Sequence, residues 1–180
     1  TAANNLTLDA GTAGNVTLSG ALTGGGDLTI TDGAVQAYAA LTVNSLTISD
    51  ATTSITFGGA IASTAAIDVD SGGTIALNAA ITGATTVALD STGVTTVAAA
   101  GDMSGTAAIT FGADKTGTLT TSGDITTTND NVTFTRAVTL GGAVTVDTGG
   151  DSAGNILFSS TIATAANNLT LDAGTAGNVT

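Results

Sequence analysis

Proline, cysteine, histidine and glutamate are all absent from this sequence. Each absence removes a class of explanation. Without cysteine and histidine, the usual side-chain ligands of zinc, iron–sulfur clusters and haem are missing, and no disulfide braces the chain. Stability must come from packing and hydrogen bonds. Without proline, every residue past the first keeps a backbone N–H, which interior strands need when they pair on both sides. Cations are nearly gone as well: Lys115 and Arg136 stand against fourteen aspartates, for a net charge of −12. Two cations cannot supply the counterion release that drives nucleic-acid binding, and an acidic surface repels anionic headgroups. The ion pairs that decorate solvated helices cannot form either. No run of eighteen apolar residues occurs, so no membrane span is expected. No signal peptide opens the chain, as expected of a window inside a longer polypeptide.

What is present is β-forming and turn-forming material. Ala, Val, Leu and Ile carry most of a 42 % hydrophobic content, with Thr and Gly filling much of the rest and aromatics limited to four Phe and one Tyr. The first seventeen residues, TAANNLTLDAGTAGNVT, return letter for letter as residues 164–180, an offset of 163 positions. A globular domain has no reason to restart its own sequence, whereas a tandem array does so whenever slightly more than one unit is sampled. Residues 1–163 therefore read as one unit and 164–180 as the start of the next.

A shorter period lies inside the long one. Apolar-x-apolar triplets form a first series: LTL at Leu6, LTI at Leu28, LTI at Leu46, IDV at Ile67, VAL at Val87, ITF at Ile109, ITT at Ile125, VTV at Val144 and LTL at Leu169. Their spacing, between 16 and 25 residues, averages about 20 and gives eight coils per long repeat. A second series, apolar-x-apolar-x-x-x-apolar, starts at Val16, Val35, Ile55, Ile75, Val97, Leu119, Val132 and Ile156, with a ninth member at Val179. Its last apolar positions, Leu22, Leu41, Ile61, Ile81, Met103, Ile125, Val138 and Ile162, read as a third short strand. Ile125 serves in two series at once.

Period-2 alternation over three to five residues is a strand with one buried face. Three such strands per coil, separated by Gly, Asn, Asp and Ala corners, make a roughly triangular turn. Stacking these turns in parallel gives an all-β parallel β-helix, or solenoid, rising roughly 38 Å per 163-residue unit. Buried aliphatics should form axial columns worth on the order of 1.5–3 kcal/mol each. Phe134 and Phe158 share a slot in adjacent coils and should stack. Thr7, Thr29, Thr47, Thr110, Thr145 and Thr170 hold outward centres in the first series, as Thr17, Thr56 and Thr133 do in the second, and β-branching with cross-strand contacts accounts for them.

With coils of about 20 residues, apolar-Thr-apolar strands and Gly/Asn/Asp corners, the whole window resembles in style the repeat regions of filamentous haemagglutinin-type adhesins and other very large bacterial β-strand-repeat surface proteins. The resemblance implies a secreted right-handed β-helix forming a long stalk or fibre, with contact to hosts, surfaces or neighbouring cells as its activity.

Candidate chemistry is sparse. Asp68 and Asp70 in IDVDSGG resemble part of an Asp-rich calcium loop, but neither the β-roll nonapeptide nor an EF-hand loop occurs. The Gly-rich stretches Leu22 to Leu28 and Gly149 to Asn155 lack a P-loop lysine and read as corners. Sequons at Asn5, Asn15, Asn131, Asn168 and Asn178 follow from Asn corners before apolar-Thr-apolar strands. A polysaccharide-active enzyme would need a clustered acid and base, yet Lys115 and Arg136 fall in different coils. An ice-binding solenoid would present paired Thr ranks, which Asp68, Ala76, Ala88 and Leu157 interrupt.

The expectation is thus a non-catalytic structural segment of a giant extracellular or cell-surface solenoid fibre or adhesin shaft, with no catalytic, cofactor-binding or metal-binding residue. Its expected partners are further copies of itself, in the same chain or as short subunits stacked end to end, together with cell surfaces or neighbouring fibres.

Overall fold

A computed structural model describes residues 4–105, 107–150 and 154–180. Among them there is no helix, and all strand pairing is parallel, in one 14-stranded and one 8-stranded sheet. The chain winds as a β-solenoid of about eight turns, each roughly 20 residues after the last, with three sides that we call A, B and C in chain order. No described segment forms a helix long and apolar enough to cross a membrane.

Side A is built from Leu6–Asp9, the opening parts of the long strands Leu28–Tyr38 and Leu46–Phe57, and then Ile67–Ser71, Val87–Ser91, Ile109–Phe111, Val132–Phe134 and Ile156–Phe158. Side B holds Asn15–Leu18, the closing parts of the two long strands, Thr74–Leu77, Val94–Val97, Thr118–Thr121, Val138–Leu140 and Ile162–Ala163. The long strands turn the A–B corner without a break, through register shifts at Gly33/Val35 and Ile48/Ala51, and this fuses two sides into the larger sheet. Side C is the separate sheet, running from Leu22–Thr23 through Leu41–Val43, Ile61–Ser63, Ile81–Thr82, Met103–Ser104, Ile125–Thr126 and Val144–Asp147 to Leu169–Asp172.

The interior follows the pleat. Ile30, Ile48, Val69, Leu89, Phe111 and Phe134 form one buried column of side A. Phe134 and Phe158 stack as expected, with ring centroids 4.5 Å apart at 5°, and Phe111 extends the stack below Phe134 at 5.3 Å and 2°. Leu6, Ile162 and Val179, at 37, 38 and 47 % exposed, mark the two edges where a column has a neighbour on one side alone.

In the fifth turn Val97 closes the side B strand and pairs with Leu77, and Thr95 takes the inward place beside Ile75 that the sequence pattern gives to Val97. Two further expectations need correction. In the second turn, the inward residues of side B are Gln36 and Tyr38, while Val35 points out and is 40 % exposed. The bulge at Gly33/Val35 moves the strand by one residue, which reverses every facing beyond it. The other correction concerns the later triplets. Ile125 belongs to side C, between Met103 and Val146. Val132 and Ile156 continue side A above Ile109, Val138 and Ile162 continue side B above Leu119, and Val144 and Leu169 lie on side C. The outward Thr positions stay outward, but Thr133 lies on side A and Thr145 and Thr170 lie on side C. In consequence, the repeated segment does not return to its starting side. Leu6–Asp9 occupies side A of the first turn, and its identical copy Leu169–Asp172 occupies side C of the eighth.

Candidate functional site

The chain's two cations meet at one place. In the sixth turn, strand pairing stops at Phe111 and resumes at Thr118, and the residues between form a loop held to the fifth turn at its two ends, where Gly112 N–H donates to the Leu89 carbonyl at 3.2 Å and Gly117 N–H to the Ser91 carbonyl at 3.0 Å. Gly112 turns this loop with φ of 82°, and Gly117 closes it so near the fifth turn that a Cβ would sit 1.9 Å from the Gly93 carbonyl oxygen. The loop leaves a gap between the fifth and seventh turns. Arg136, at the same corner one turn later, fills it.

The guanidinium reaches past the sixth turn into the fifth. Its Nη1 donates to Ser91 Oγ at 3.0 Å and Thr95 Oγ1 at 3.1 Å, and Nη2 donates to Asp90 Oδ1 at 3.2 Å. Arg136 is 4 % exposed and Asp90 3 %. Gly112 lies against the Nε edge, which has no hydrogen-bond partner, and a Cβ there would lie 2.3 Å from Nε. Asp90 also accepts the backbone N–H groups of Ala113 and Asp114, so one carboxylate ties the loop to the fifth turn. Burial pushes the Asp90 carboxyl up from its ordinary value, against the opposing pull of Arg136 and the two N–H donors.

Lys115, on the loop, pairs with Asp70 of the fourth turn at 3.7 Å. Burial raises the Asp70 carboxyl, Lys115 opposes this, and the nearby Asp68, Asp90 and Asp114 add to the rise. An open groove of about 480 Å³ runs along the loop, walled by residues 112–118, Thr135, Arg136, Ala137 and Ser160. Its chemistry is that of a clamp. Both cations are committed to carboxylates, and the most enclosed carboxylate is shielded from solvent.

The sequence separates Lys115 and Arg136 by coil, and the structure indeed sets them on successive turns, but on the same corner. Their convergence was hidden because the triplet count puts Val132 in the second series, which moves Arg136 from the A–B corner to the next one. Asp68 lies at an outward centre of side A, and Asp70 belongs to the clamp. No group of three potential metal-ligating residues is assembled among the described residues. Residues 22–27 form a side C strand and its corner and Leu28 opens the next side A strand, while residues 151–153 of the second Gly-rich stretch lie outside those described.

Three of the sequon asparagines, Asn5, Asn15 and Asn131, act as corner ladders, and so does Asn155, which lies in no sequon. Asn5 Oδ1 accepts the Asp27 N–H at 3.0 Å, Asn15 accepts Val35 at 3.2 Å, Asn131 accepts Asn155 at 2.8 Å, and Asn155 accepts Asn178 at 2.9 Å. Each side chain caps the turn above, where the corner interrupts the sheet ladder. Asn168 contributes its backbone carbonyl, accepting from Val144 N at 3.0 Å. A separate buried polar pair interrupts the second turn. The Tyr38 hydroxyl donates to Gln36 Oε1, burial raises the tyrosine hydroxyl, and Gln36 Nε2 has no partner.

No protein family, curated protein or solved structure matches this chain.

Proposed function

We propose that this chain is a non-catalytic structural segment of a long β-solenoid fibre or shaft, in an extracellular or cell-surface setting. The observation that carries the reading is the exact recurrence of residues 1–17 at 164–180, joined to a fold whose edges offer unpaired parallel strands and half-covered apolar columns. Such edges are templates for more of the same chain. The likeness in style to filamentous haemagglutinin-type repeats agrees with this. So does the commitment of both cations to structural ion pairs, which leaves no free cationic group beside the enclosed carboxylate.

The test is rod length. Concatenated chains of one, two and three 163-residue units, imaged by electron microscopy, should lengthen by about 37 Å per added unit at constant width. Separate globules joined by linkers, or no increase in length, would refute the reading.

A further inference from the structure

The two copies of the seventeen-residue segment carry one sequence but occupy different sides. In the first copy, Leu6–Asp9 lies on side A and Asn15–Leu18 on side B. In the second, Leu169–Asp172 lies on side C and Val179 bridges to Ile156 on side A. The path runs A, B, C, so the second copy has moved back by one side. We infer that successive units are related by a screw operation, in which the next copy of this sequence seats on the far edge rotated by about one-third of a turn. This rests on the fibre reading for its extension beyond one chain.

The chemistry of the sides permits it. All three present apolar-x-apolar triplets whose outward centres are mostly small or β-branched, Asp68 and Leu157 being the exceptions on side A, so a segment fits any of them. Pairings inside the unit are also conserved under the operation. Leu6, Thr7 and Leu8 receive Leu28, Thr29 and Ile30 in the first unit, and Leu169, Thr170 and Leu171 offer the same three residues to the next copy from side C. A second copy therefore repeats its own contacts in full and differs only in what lies beneath its first turn. The unit rises by seven turns and two sides, about 37 Å, and three units restore the starting side after about 110 Å. The clamp of Arg136 and Asp90, one per unit, then appears on each of the three corners in succession. A fibre built this way presents its grooves around its whole circumference, whereas pure translation would align them along one ridge.

Register can be tested in the 180-residue chain, which has no native cysteine. Thr110 and Thr133 are adjacent partners on side A, and Thr126 lies on side C. If eight complete turns made a unit, Thr110 would instead neighbour Thr126. Neighbouring parallel strands, about 4.8 Å apart, bring Cα atoms within disulfide range. Oxidation of Thr110→Cys/Thr133→Cys should close nearly all chains intramolecularly, with at least tenfold less closure in Thr110→Cys/Thr126→Cys. Closure of the Thr126 pair, or of neither, overturns the inference. In the unmodified chain, ring-proton NOEs between Phe111 and Phe134 must be present, and their absence overturns it equally. Cryo-electron microscopy of a three-unit chain separates the two ideas. A continuous rod with its grooves on one ridge refutes the screw alone, and discontinuous rods with the Thr133 disulfide intact refute the fibre alone.

Discussion

Replacing Arg136 by methionine tests whether the corner clamp is structural. Methionine keeps most of the aliphatic stem's volume but removes three hydrogen bonds and the sole countercharge in direct contact with Asp90. A carboxylate that is 3 % exposed then has two backbone N–H donors and no cation. Breaking a buried pair from one side costs about 3–5 kcal/mol, because an uncompensated charge remains. With a urea slope of about 2 kcal/mol per molar, the unfolding midpoint should fall by about 2 M at pH 7. Acid should shrink the loss, since a protonated Asp90 no longer needs the cation. The companion double variant, Asp90→Asn/Arg136→Met, should recover most of the stability, as exchange of a whole buried pair is often close to neutral. Urea unfolding by circular dichroism gives the midpoint, and hydrogen exchange locates the effect, expected at residues 89–97, 112–121 and 135–140. A loss below about 1 kcal/mol, or a double variant no better than the single one, would refute a desolvated pair and mark the contact as surface-like.

Four other outcomes follow from the packing and charge. Phe134→Ala empties the centre of the Phe111–Phe134–Phe158 stack and should cost about 3–5 kcal/mol. Because each turn touches only its neighbours, hydrogen-exchange protection should fall in turns six to eight and persist around Ile48 and Ile67, and uniform loss would contradict a quasi-linear solenoid. Asp70 and Asp90 both have folded values raised above their unfolded ones, so their contribution to stability is full below the ordinary carboxylate range and is lost as pH rises through the raised values. Thermal unfolding should therefore occur at higher temperature at pH 4 than at pH 7, until the opposite contribution of Asp27, whose value is lowered by hydrogen bonds from Asn44 and Ser45, is lost at still lower pH. Gln36→Leu/Tyr38→Phe removes the buried hydrogen bond together with the unpartnered amide nitrogen and should leave the urea midpoint unchanged or higher, whereas a fall of 2 M would show that the pair is needed. Gly117→Ala should destabilise locally, read as lost protection at residues 91–95 and 118–121, because its Cβ would meet the Gly93 carbonyl oxygen.

The solenoid was legible because its evidence is periodic. Alternating triplets, absent proline and small-residue corners each specify a parallel stack, and none depends on the side to which a triplet belongs. Side assignment was not legible for the same reason. ITF at Ile109, VTF at Val132 and VTV at Val144 satisfy one pattern, yet the first two share side A while the third lies on side C. What separates them is Ile125, which the triplet pattern admits to two series but which occupies side C alone. Counting it twice moves every later triplet by one side. The clamp escaped for a related reason, since a side chain that reaches across a whole turn joins residues 46 positions apart. Val35 and Gln36 show the limit at the smallest scale, where one bulge buries an amide and exposes a valine.

Interchangeable triplets also create a physical problem that the clamp is built to answer. A strand that slips by one side keeps much of its aliphatic burial, because Leu, Ile and Val recur inward on every side, although the Phe111–Phe134–Phe158 stack belongs to side A alone. Away from that stack, apolar packing leaves slipped arrangements close in free energy to the native one. Arg136 has no equivalent elsewhere in the sequence, and neither does the loop it braces. In any slipped register the guanidinium would be enclosed without Asp90, Ser91 and Thr95, or would have to leave the gap and open a void against Gly112. Either outcome costs several kcal/mol, more than the small differences among triplets. The ion pair is therefore expected to separate the native register from its alternatives by more than it stabilises the native turn relative to a well-packed apolar substitute. The double variant Asp90→Asn/Arg136→Met, expected to regain stability, should for that reason lose uniqueness: its NMR spectrum should show additional peaks for Ile109, Leu119 and Val132, where the wild type shows one set.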